Sequence, residues 1–382
     1  MPAHIYLDNT ASTPLDEQVR LAMLSYMDEF YGNPSSIHSH GRKLKVAVEN
    51  ARKSIAVWFN VSPSEIFFTS GGTESDNIAV FSSINSFDIK NVITSPLEHY
   101  AILKPLSYLS SKKKINLHFV RHDGTGNIDL NHLEELLKKF PRSFVSLMHA
   151  NNEIGNLTDI ETAARMTKEN DGIFHSDTVQ TVGHYRIDLQ NIKADMISAS
   201  AHKFHGPKGV GFLYIRGGCQ LEPLFYGGGQ ERNMRGGTEN VSGIVGLAKA
   251  IEIGYKDITL QKNHILMLKK KLIEMLQNEI SSINFNGLSG DLDKSLYTVL
   301  SVAFPRNEHT EMLLYNLDIN SISVSGGSAC SSGSDAGSHV LKAIGTPTDR
   351  ISIRFSFSKL NTMEEIYLMM ERLKEILKFK ST

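Results

Sequence analysis

One lysine of this chain has neighbours that are typical of a reactive amine. Lys203 stands between His202 and Phe204, shortly after the apolar run DMISAS (195–200) and before the glycine-rich turn GPKG. A lysine at a strand end, partly removed from water and near other cations, loses part of its preference for the charged form and becomes a nucleophile. Such an amine can hold an aldehyde cofactor as a Schiff base.

A second stretch is typical of an anion site. The strand-like run EIFFTS (65–70) is followed by GGTESDN, in which two glycines and Thr73 precede a predicted helix. The start of a helix directs backbone N–H groups outward, and these groups bind phosphate. The alternative is a plain N-cap at Thr73, with Glu74 and Asp76 in the first turn of the helix.

Further acid, amide and imidazole groups follow other predicted strands: His99 in SPLEHYAI, Asn152 in HANNEIG, and Asp177 with Gln180 in HSDTVQ. Each alone is more typical of a turn, a cap or a structural group, but the carboxyl ends of parallel strands open onto one edge of a sheet. Pyridoxal phosphate requires a lysine, a phosphate site and a carboxylate for its pyridinium nitrogen. Lys203, the GGT helix start and Asp177 supply these three.

Other interpretations of these segments stay open at this point. Lys203 is alternatively a surface lysine beside a simple turn, or His202 and His205 ligate a metal, although this pair lacks a third matching ligand. The stretch GGGQERNMRGGTEN (227–240) is either a flexible loop or a further anion contact, with Thr238 before a helix. It lacks the residue order of a P-loop, and no dinucleotide-binding glycine pattern follows a strand.

A thiol is the second candidate nucleophile. Residues 325–335, SGGSACSSGSD, contain no side chain that can pack a core, so we expect Cys330 to be exposed on a mobile segment. A cation nearby would make it reactive, and the tether would let its sulfur reach both a cofactor and an outside acceptor. We expect Cys219 to be structural or incidental.

Arg354, at a strand end in ISIRFS, either holds an α-carboxylate or forms an exposed ion pair.

Seven apolar runs rich in β-branched and aromatic residues position these groups, and most are separated by helix-length segments: 65–70, 91–95, 115–120, 144–148, 173–176, 195–200 and 210–215. This alternation predicts an α/β fold with a mostly parallel sheet flanked by helices on both faces. From about 240 one long helical stretch continues to about 280 and bridges to a second domain.

The second domain is predicted to be a smaller α+β unit, with strands at 295–304, 320–325 and 350–357 and helices near 308–317, 336–344 and 362–378. We therefore expect a large domain over 15–255. Residues 1–14 and 256–382 then form the small domain, which carries the Cys330 segment.

The composition restricts the partners. The 382 residues include 40 basic and 41 acidic side chains, so the net charge of −1 creates no field that would gather nucleic acid or anionic lipid. No stretch approaches the roughly 20 apolar residues of a membrane span, and the N-terminus has no basic targeting region. Two cysteines without a CxxC spacing predict neither a disulfide framework nor a cysteine metal site. We expect a cytoplasmic protein that acts on small neutral or zwitterionic substrates.

Taken in order, these motifs resemble the fold-type I pyridoxal phosphate enzymes of the class-V aminotransferase family, and more narrowly the class I (NifS/IscS-like) cysteine desulfurases. The similar stretches run almost from end to end: YLDNTASTP (6–14), GNPSSIH (32–38), TSGGTESDN, HANNEIG, HSDTVQ, SAHKFHGPKG, GGGQERNMRGGT, GSACSSG and SIRFS. The resemblance implies a fold with a seven-stranded sheet in the large domain.

The resemblance also implies roles for the cofactor residues. Lys203 is the Schiff-base lysine, His99 stacks on the cofactor ring and transfers protons, and Asp177 pairs with the ring nitrogen. Gln180 bonds the ring hydroxyl, and Asn152 lies near the ring and the substrate carboxylate. The phosphate site matches Gly72, Thr73, Ser200 and His202, with Thr238 contributed across a homodimer interface.

The implied reaction converts L-cysteine to L-alanine. Arg354 would hold the substrate carboxylate, and Cys330 would take the sulfur as a persulfide and pass it to an acceptor protein. The long Gly/Ser-rich form of the cysteine segment suits a distant acceptor, although Asp335 and Gly337 depart from the usual pattern. The chain ends soon after its last predicted helix, which leaves iron–sulfur cluster assembly, tRNA thiolation and DNA phosphorothioation open. The alternatives are a selenocysteine lyase, an aminotransferase of the same fold, or a binding protein without catalysis.

Overall fold

The computed structural model describes residues 4–326 and 337–377. Its strands are β1 (Ile5–Tyr6), β2 (Ile66–Thr69), β3 (Asn91–Thr94), β4 (Asn116–Phe119), β5 (Phe144–Ser146), β6 (Ile173–Asp177), β7 (Met196–Ser200), β8 (Gly211–Ile215), β9 (Asn284–Phe285), β10 (Val299–Pro305), β11 (Ile322–Ser323) and β12 (Arg350–Ser356). Its α-helices are α1 (Glu17–Asp28), α2 (Ser39–Phe59), α3 (Gly72–Ser86), α4 (Tyr100–Ser111), α5 (Leu130–Lys139), α6 (Ile160–Glu169), α7 (Val241–Lys256), α8 (Ile258–Glu279), α9 (Leu313–Ile319), α10 (His339–Ala343) and α11 (Met363–Leu377).

The predicted seven-stranded sheet is confirmed. Its strand order is β2-β8-β7-β6-β5-β3-β4, and each of the seven strands falls on one of the predicted apolar runs. Only β8 runs antiparallel to its two neighbours; the other pairs are parallel. The central strands β7 and β8 are buried at every residue, because helices cover both faces of the sheet.

The two faces of this sheet pack against different helices. Along β7, Met196 belongs to a cluster with residues of α3 and α4, whereas the next residue, Ile197, belongs to a cluster with residues of α2 and α7. Strand β8 alternates in the same way, with Leu213 on one face and Tyr214 on the other. This period of two is the geometry of a strand that is buried on both sides. Because both faces of the sheet are covered by apolar packing, polar side chains that bind ligands lie at the strand ends.

The second half of the chain builds a separate core. Strands β12-β10-β9 form an antiparallel sheet, and β1 pairs in parallel with β11. Helices α8, α9 and α11 contribute to one apolar cluster with these strands, including Leu272, Phe304 and Met369. Strand β1 places the beginning of the chain in this unit.

The long helical stretch predicted from about 240 to about 280 is interrupted, and in this the prediction was wrong. Asp257, with φ −108° and ψ 20°, separates α7 from α8. The reason lies in the packing: Leu247 and Ile251 of α7 fill the core beneath the large sheet, whereas Leu268 and Leu272 of α8 fill the second core. One straight helix could not bury both faces.

Across the ranges 4–326 and 337–377, no helix combines the length and the apolarity that a bilayer crossing requires.

Candidate active site

A cavity of about 300 Å³ opens at the strand ends of the large sheet. Its lining includes ten residues that were selected from the sequence: Gly72, Thr73, His99, Asn152, Asp177, Gln180, Ser200, His202, Lys203 and Arg354. Residues from the large sheet, from β12 and from the start of the chain, including Thr10 and Ala11, share the wall. The sequence-predicted groups thus converge on one place.

Lys203 lies directly after β7 and is held by carbonyl groups. Its Nζ donates to the carbonyl oxygens of Thr10 at 2.7 Å and Ala11 at 2.8 Å. The Lys203 carbonyl in turn lies 3.2 Å from His184 Nε2, and the other nitrogen of that ring lies 3.1 Å from the hydroxyl of Tyr297. The amine therefore has a defined position in the cavity, and Lys203 is not a simple surface lysine.

The anion-site segment forms the start of α3. The N-cap is Gly71, with φ +147° and no side-chain capping bond, so the alternative of an N-cap at Thr73 was wrong. A Cβ at Gly72 would lie 2.6 Å from Cγ2 of Val179, which means that only glycine allows this close approach. Backbone N–H groups of the first turn thus meet the cavity without a side-chain cap, as a bound phosphate requires.

The two histidines nearest the amine are neutral at physiological pH. Burial, together with the charges of Lys203 and Lys208, lowers the pKa of His202 to about 4. Burial also lowers the pKa of His99, with smaller lowering by Lys203 and His339 and an opposing effect of Asp177. The Nδ1 of His99 accepts from the amide of Ala101 at 3.1 Å and caps α4, so a neutral ring carries its proton on Nε2.

Asp177 ends β6 and is buried. Its Oδ1 accepts from the amide of Val179 at 2.9 Å. Burial raises the pKa of this carboxyl, whereas His99 and Lys203 act in the opposite direction. Two more buried acids, Asp76 and Glu98, lie close enough to interact with it, and sequence reasoning did not assign them to the site. The sequence did contain a signal for Asp76: it lies one helical turn after Gly72, so both residues are on the helix face that meets the site.

Arg354 is 2% exposed, so the alternative of an exposed ion pair was wrong. One guanidinium nitrogen donates to the Asn152 carbonyl at 2.9 Å and another to Asp8 Oδ1 at 3.0 Å. Its Nε has no hydrogen-bond partner among the residues that the structure describes. Two of the five N–H groups are used in these bonds, so the guanidinium is oriented by the protein and keeps N–H groups for a ligand in the cavity.

Two selected residues lie outside this arrangement. Thr238 is exposed and lines a different hollow with Glu231 and Arg235. Cys330 lies outside the described residues. The other cysteine, Cys219, is partly buried, and burial together with Asp195 raises the pKa of its thiol to about 12, as suits a structural residue.

The segment 227–240 is held in place and is not a flexible loop over its described length. The guanidinium of Arg52 makes two bonds to the Glu231 carboxylate, at 2.7 and 2.8 Å, and both side chains are 3% exposed. Glu231, Arg232 and Asn233 all have positive φ angles, a conformation that needs such support in residues other than glycine.

The metal alternative has no third ligand. His202 Nδ1 lies 3.3 Å from the Ser12 hydroxyl, and His205 Nδ1 lies 2.9 Å from the Pro14 carbonyl. Within the described ranges, no three His, Cys, Asp or Glu side chains are arranged to hold a metal ion.

The residues present fit pyridoxal phosphate. The start of α3 has no side-chain cap, and Gly72 packs closely against Val179, so this backbone suits a phosphate. The Asp177 carboxyl suits a pyridinium nitrogen, and the Lys203 amine, bonded to the Thr10 carbonyl, suits an aldehyde. All of them face one cavity.

Comparisons with known proteins agree with this chemistry. The aminotransferase class-V family description matches residues 5–369. The cysteine desulfurase IscS of Dictyoglomus turgidum is 40% identical over 381 residues, covering 99% of this chain and 95% of that protein. The IscS of Methanosarcina thermophila is 40% identical over 97% of this chain and 91% of its own length. A solved structure of a NifS-like protein superposes with a TM-score of 0.91 at 38% identity, covering 99% of this chain and 100% of that one.

These similarities confirm the resemblance seen in the sequence, the fold class and the dependence on pyridoxal phosphate. The chain belongs to the aminotransferase class-V family and, within it, to the pyridoxal-phosphate-dependent cysteine desulfurases.

Proposed function

We propose that this protein converts L-cysteine to L-alanine and transfers the sulfur through Cys330 to an acceptor protein. The observation that carries the proposal is one cavity that contains the Lys203 amine, the buried Asp177 carboxyl and the buried Arg354 guanidinium. Amine and carboxyl suit the cofactor, while Arg354 suits an amino-acid carboxylate. The desulfurases named above support the choice of cysteine as the substrate.

The cofactor residues are assigned from this geometry. When bound, pyridoxal phosphate supplies an aldehyde for a covalent link and a ring that withdraws electrons from the substrate. Lys203 would make the covalent link, and Asp177 would pair with the ring nitrogen. Gly72, Thr73, Ser200 and His202 would hold the phosphate, with Gln180 and His99 at the ring.

The substrate residues line the same cavity as the amine. The Arg354 guanidinium, which lines the cavity, would bind the cysteine carboxylate, with Asn152 beside it. Lys203 and the neutral ring of His99 would accept and return protons, since a neutral imidazole is a general base. In the sulfur step, the Cys330 thiolate attacks the substrate sulfur, and an S–S bond forms. The C–S bond breaks, its electron pair stays on carbon, and that carbon ends as the methyl group of alanine after protonation.

We also propose a homodimer in the cytoplasm. Thr238 is exposed and lies away from the cavity of its own chain, on a segment that also exposes Tyr226 at 84%. A second protomer could receive this threonine at its phosphate site. The thiol chemistry of Cys330 requires a reduced cysteine, which the cytoplasm maintains.

Two further assignments complete the proposal. The separate core clusters support a large domain over 15–255 and a small domain formed by 1–14 and 256–382. For the acceptor, iron–sulfur cluster assembly has the support of the IscS relatives. A nucleic-acid thiolation pathway would also take its sulfur from a persulfide.

The test compares the two cysteines. Purified wild-type protein with pyridoxal phosphate, L-cysteine and a thiol reductant is expected to release alanine and sulfide in equal amounts. Cys330→Ser should lose both by at least about a hundredfold while it still binds the cofactor. Cys219→Ser, the matched control, should keep both. Equal sulfide release by Cys330→Ser would refute the role of Cys330, and higher turnover of selenocysteine than of cysteine would favour a selenocysteine lyase.

A further inference from the structure

A second acid borders the cavity and belongs to none of the roles assigned above. Asp76 lies in the first part of α3, is 1% exposed, and lines the cavity together with Asp177. Its Oδ1 is buried and has no hydrogen-bond partner among the residues that the structure describes, and the two carboxyl groups are close enough to interact. Two ionised carboxylates are both acceptors, so a bond between them requires that one carries a proton.

The surroundings decide which acid holds that proton. Asp177 is near Lys203 and accepts from the amide of Val179, and both interactions favour its negative charge. Among the described residues, no lysine or arginine forms an ion pair with Asp76. Burial, Asp177 and Glu98 all raise its pKa well above the usual range, and the Ser198 hydroxyl opposes them only in part. The proton therefore resides on Asp76.

The groups behind Asp76 do not change this assignment. Its Oδ1 lies 3.5 Å from Nε2 of His175, a ring that is 0% exposed. That ring lies 3.0 Å from a serine hydroxyl on each side, Ser198 at Nε2 and Ser146 at Nδ1. Burial lowers the pKa of His175 to about 3, so the ring is neutral and offers no charge to compensate an ionised Asp76. A charged Asp76 would be buried and unpaired, which is costly.

We propose that Asp76 is a positioning residue that, as a neutral acid, donates a hydrogen bond to Asp177 and so keeps Asp177 ionised and aimed at the ring nitrogen of the cofactor. This inference rests on the proposed function, because it assigns Asp177 to that nitrogen. A hydrogen bond to the charged form of a carboxyl favours that form. With the amide of Val179, Asp76 makes the second fixed donor to Asp177.

The test replaces the acid with a neutral donor and with a group that has none. Asp76→Asn keeps the shape and an N–H donor, so its dissociation constant for pyridoxal phosphate should stay within about threefold of wild type. Asp76→Ala removes the donor and should weaken cofactor binding by about 10- to 100-fold. The pH midpoint of the visible absorbance of bound cofactor should shift in Asp76→Ala and stay unchanged in Asp76→Asn. A loss of packing alone would not separate the two variants in this titration.

A control on the same helix tests for general loosening. Ser83 is buried, and its hydroxyl contacts Met196 Sδ at 3.6 Å, on the side of α3 that packs on β7. Ser83→Ala should leave both the dissociation constant and the pH midpoint unchanged. If Asp76→Ala does not fold, Asp76→Val fills the site without a donor and replaces it in the comparison.

The outcomes separate this inference from the proposed function. If wild-type protein does not bind pyridoxal phosphate, the proposed function fails. If wild type binds the cofactor but Asp76→Asn is weakened and shifted as much as Asp76→Ala, the ionised form of Asp76 is the one that matters, and the inference is overturned. Wild-type behaviour of both variants would overturn it as well.

Discussion

Arg354 and Asp8 form an ion pair at 3.0 Å that joins strand β12 to the beginning of the chain at the edge of the cavity. Asp8 also accepts from the Ser325 hydroxyl at 2.6 Å, so the carboxylate is itself fixed. The guanidinium is consequently oriented before any substrate arrives. Because the guanidinium is already oriented, less entropy is lost when the substrate binds and reacts.

A lysine cannot reproduce this arrangement, because it lacks the planar fork that bonds Asp8, Asn152 and a ligand at once. We expect Arg354→Lys to raise KM for L-cysteine by about 10- to 100-fold, with a smaller change in kcat and unchanged cofactor absorbance. Steady-state alanine formation measures this. Arg350→Lys on the same strand is the control, since the Arg350 side chain donates to the Ser282 carbonyl and does not line the cavity. An unchanged KM in Arg354→Lys would contradict the assignment.

The covalent role of Lys203 predicts a specific chemical adduct. Borohydride reduction of the cofactor-loaded protein should fix the pyridoxyl group on the peptide that contains Lys203, and mass spectrometry should locate it there. Lys203→Ala should give no such adduct and no visible band, whereas Lys208→Ala, an exposed lysine five residues later, should behave as wild type. An adduct on another lysine in wild type would disprove this role.

A buried lysine predicts how stability depends on pH. Lys269 is 0% exposed, donates to Ser295 Oγ at 2.8 Å, and burial lowers its pKa to about 7 from an ordinary 10.5. Between these values the unfolded chain binds more protons than the folded one, so stability rises with pH across this window. From pH 7 to pH 9 this one group should add about 2 kcal/mol to the free energy of unfolding.

Lys269→Met should remove that rise, and urea unfolding of both proteins at pH 7 and pH 9 measures the difference. Lys270→Met, at an exposed position next to it, should keep the wild-type rise. A variant with the same pH dependence as wild type would show that the Lys269 amine stays charged in the folded protein.

The pair of Arg52 and Glu231 predicts a large loss of stability on removal of one partner. Glu231→Ala would leave the buried Arg52 guanidinium with only the half-exposed Glu49 as a carboxylate partner and would also remove the acceptor of the Phe68 amide. We expect a decrease of about 3–5 kcal/mol in the free energy of unfolding, measured by urea denaturation. Glu222→Ala, at an exposed acid of the same region, should change it by less than about 0.5 kcal/mol. A small effect of Glu231→Ala would show that solvent replaces the pair.

The strand ends could be predicted because the apolar runs are short and each is followed at once by its polar group. Asp177 and Lys203 were found in this way. Asp76, Glu98 and His339 were not, since an acid in a first helical turn or a histidine after a glycine-rich stretch has an ordinary explanation in the sequence. Asp76 and His339 line the cavity and Glu98 interacts with Asp177 from outside its lining; which helix face meets which strand decides these positions, and that depends on tertiary packing.

Two details of the helices differ from what the sequence suggested, each for its own physical reason. The helix breaks at Asp257 because the residues before it pack into the core beneath the large sheet, whereas the residues after it pack into the second core. The periodic pattern of apolar residues continues across the break, so it does not reveal the break. The N-cap at Gly71 replaces the expected Thr73 because the backbone there takes φ +147°, which glycine reaches easily and threonine does not. The exposed position of Thr238 was equally beyond the sequence, which gives no distance between a loop and a cavity.

The pairing of β1 with β11 has a consequence for the order of events during synthesis. Asn9 bonds the carbonyl of Ser356, 347 positions later, and Thr10 and Ala11 hold the Lys203 amine. Asn9 therefore finds its partner only after residues 347 positions later have been synthesised. Contacts over such separations form slowly. A nascent chain can complete its large sheet, but it cannot enclose the vitamin-derived group until Arg354 has been synthesised.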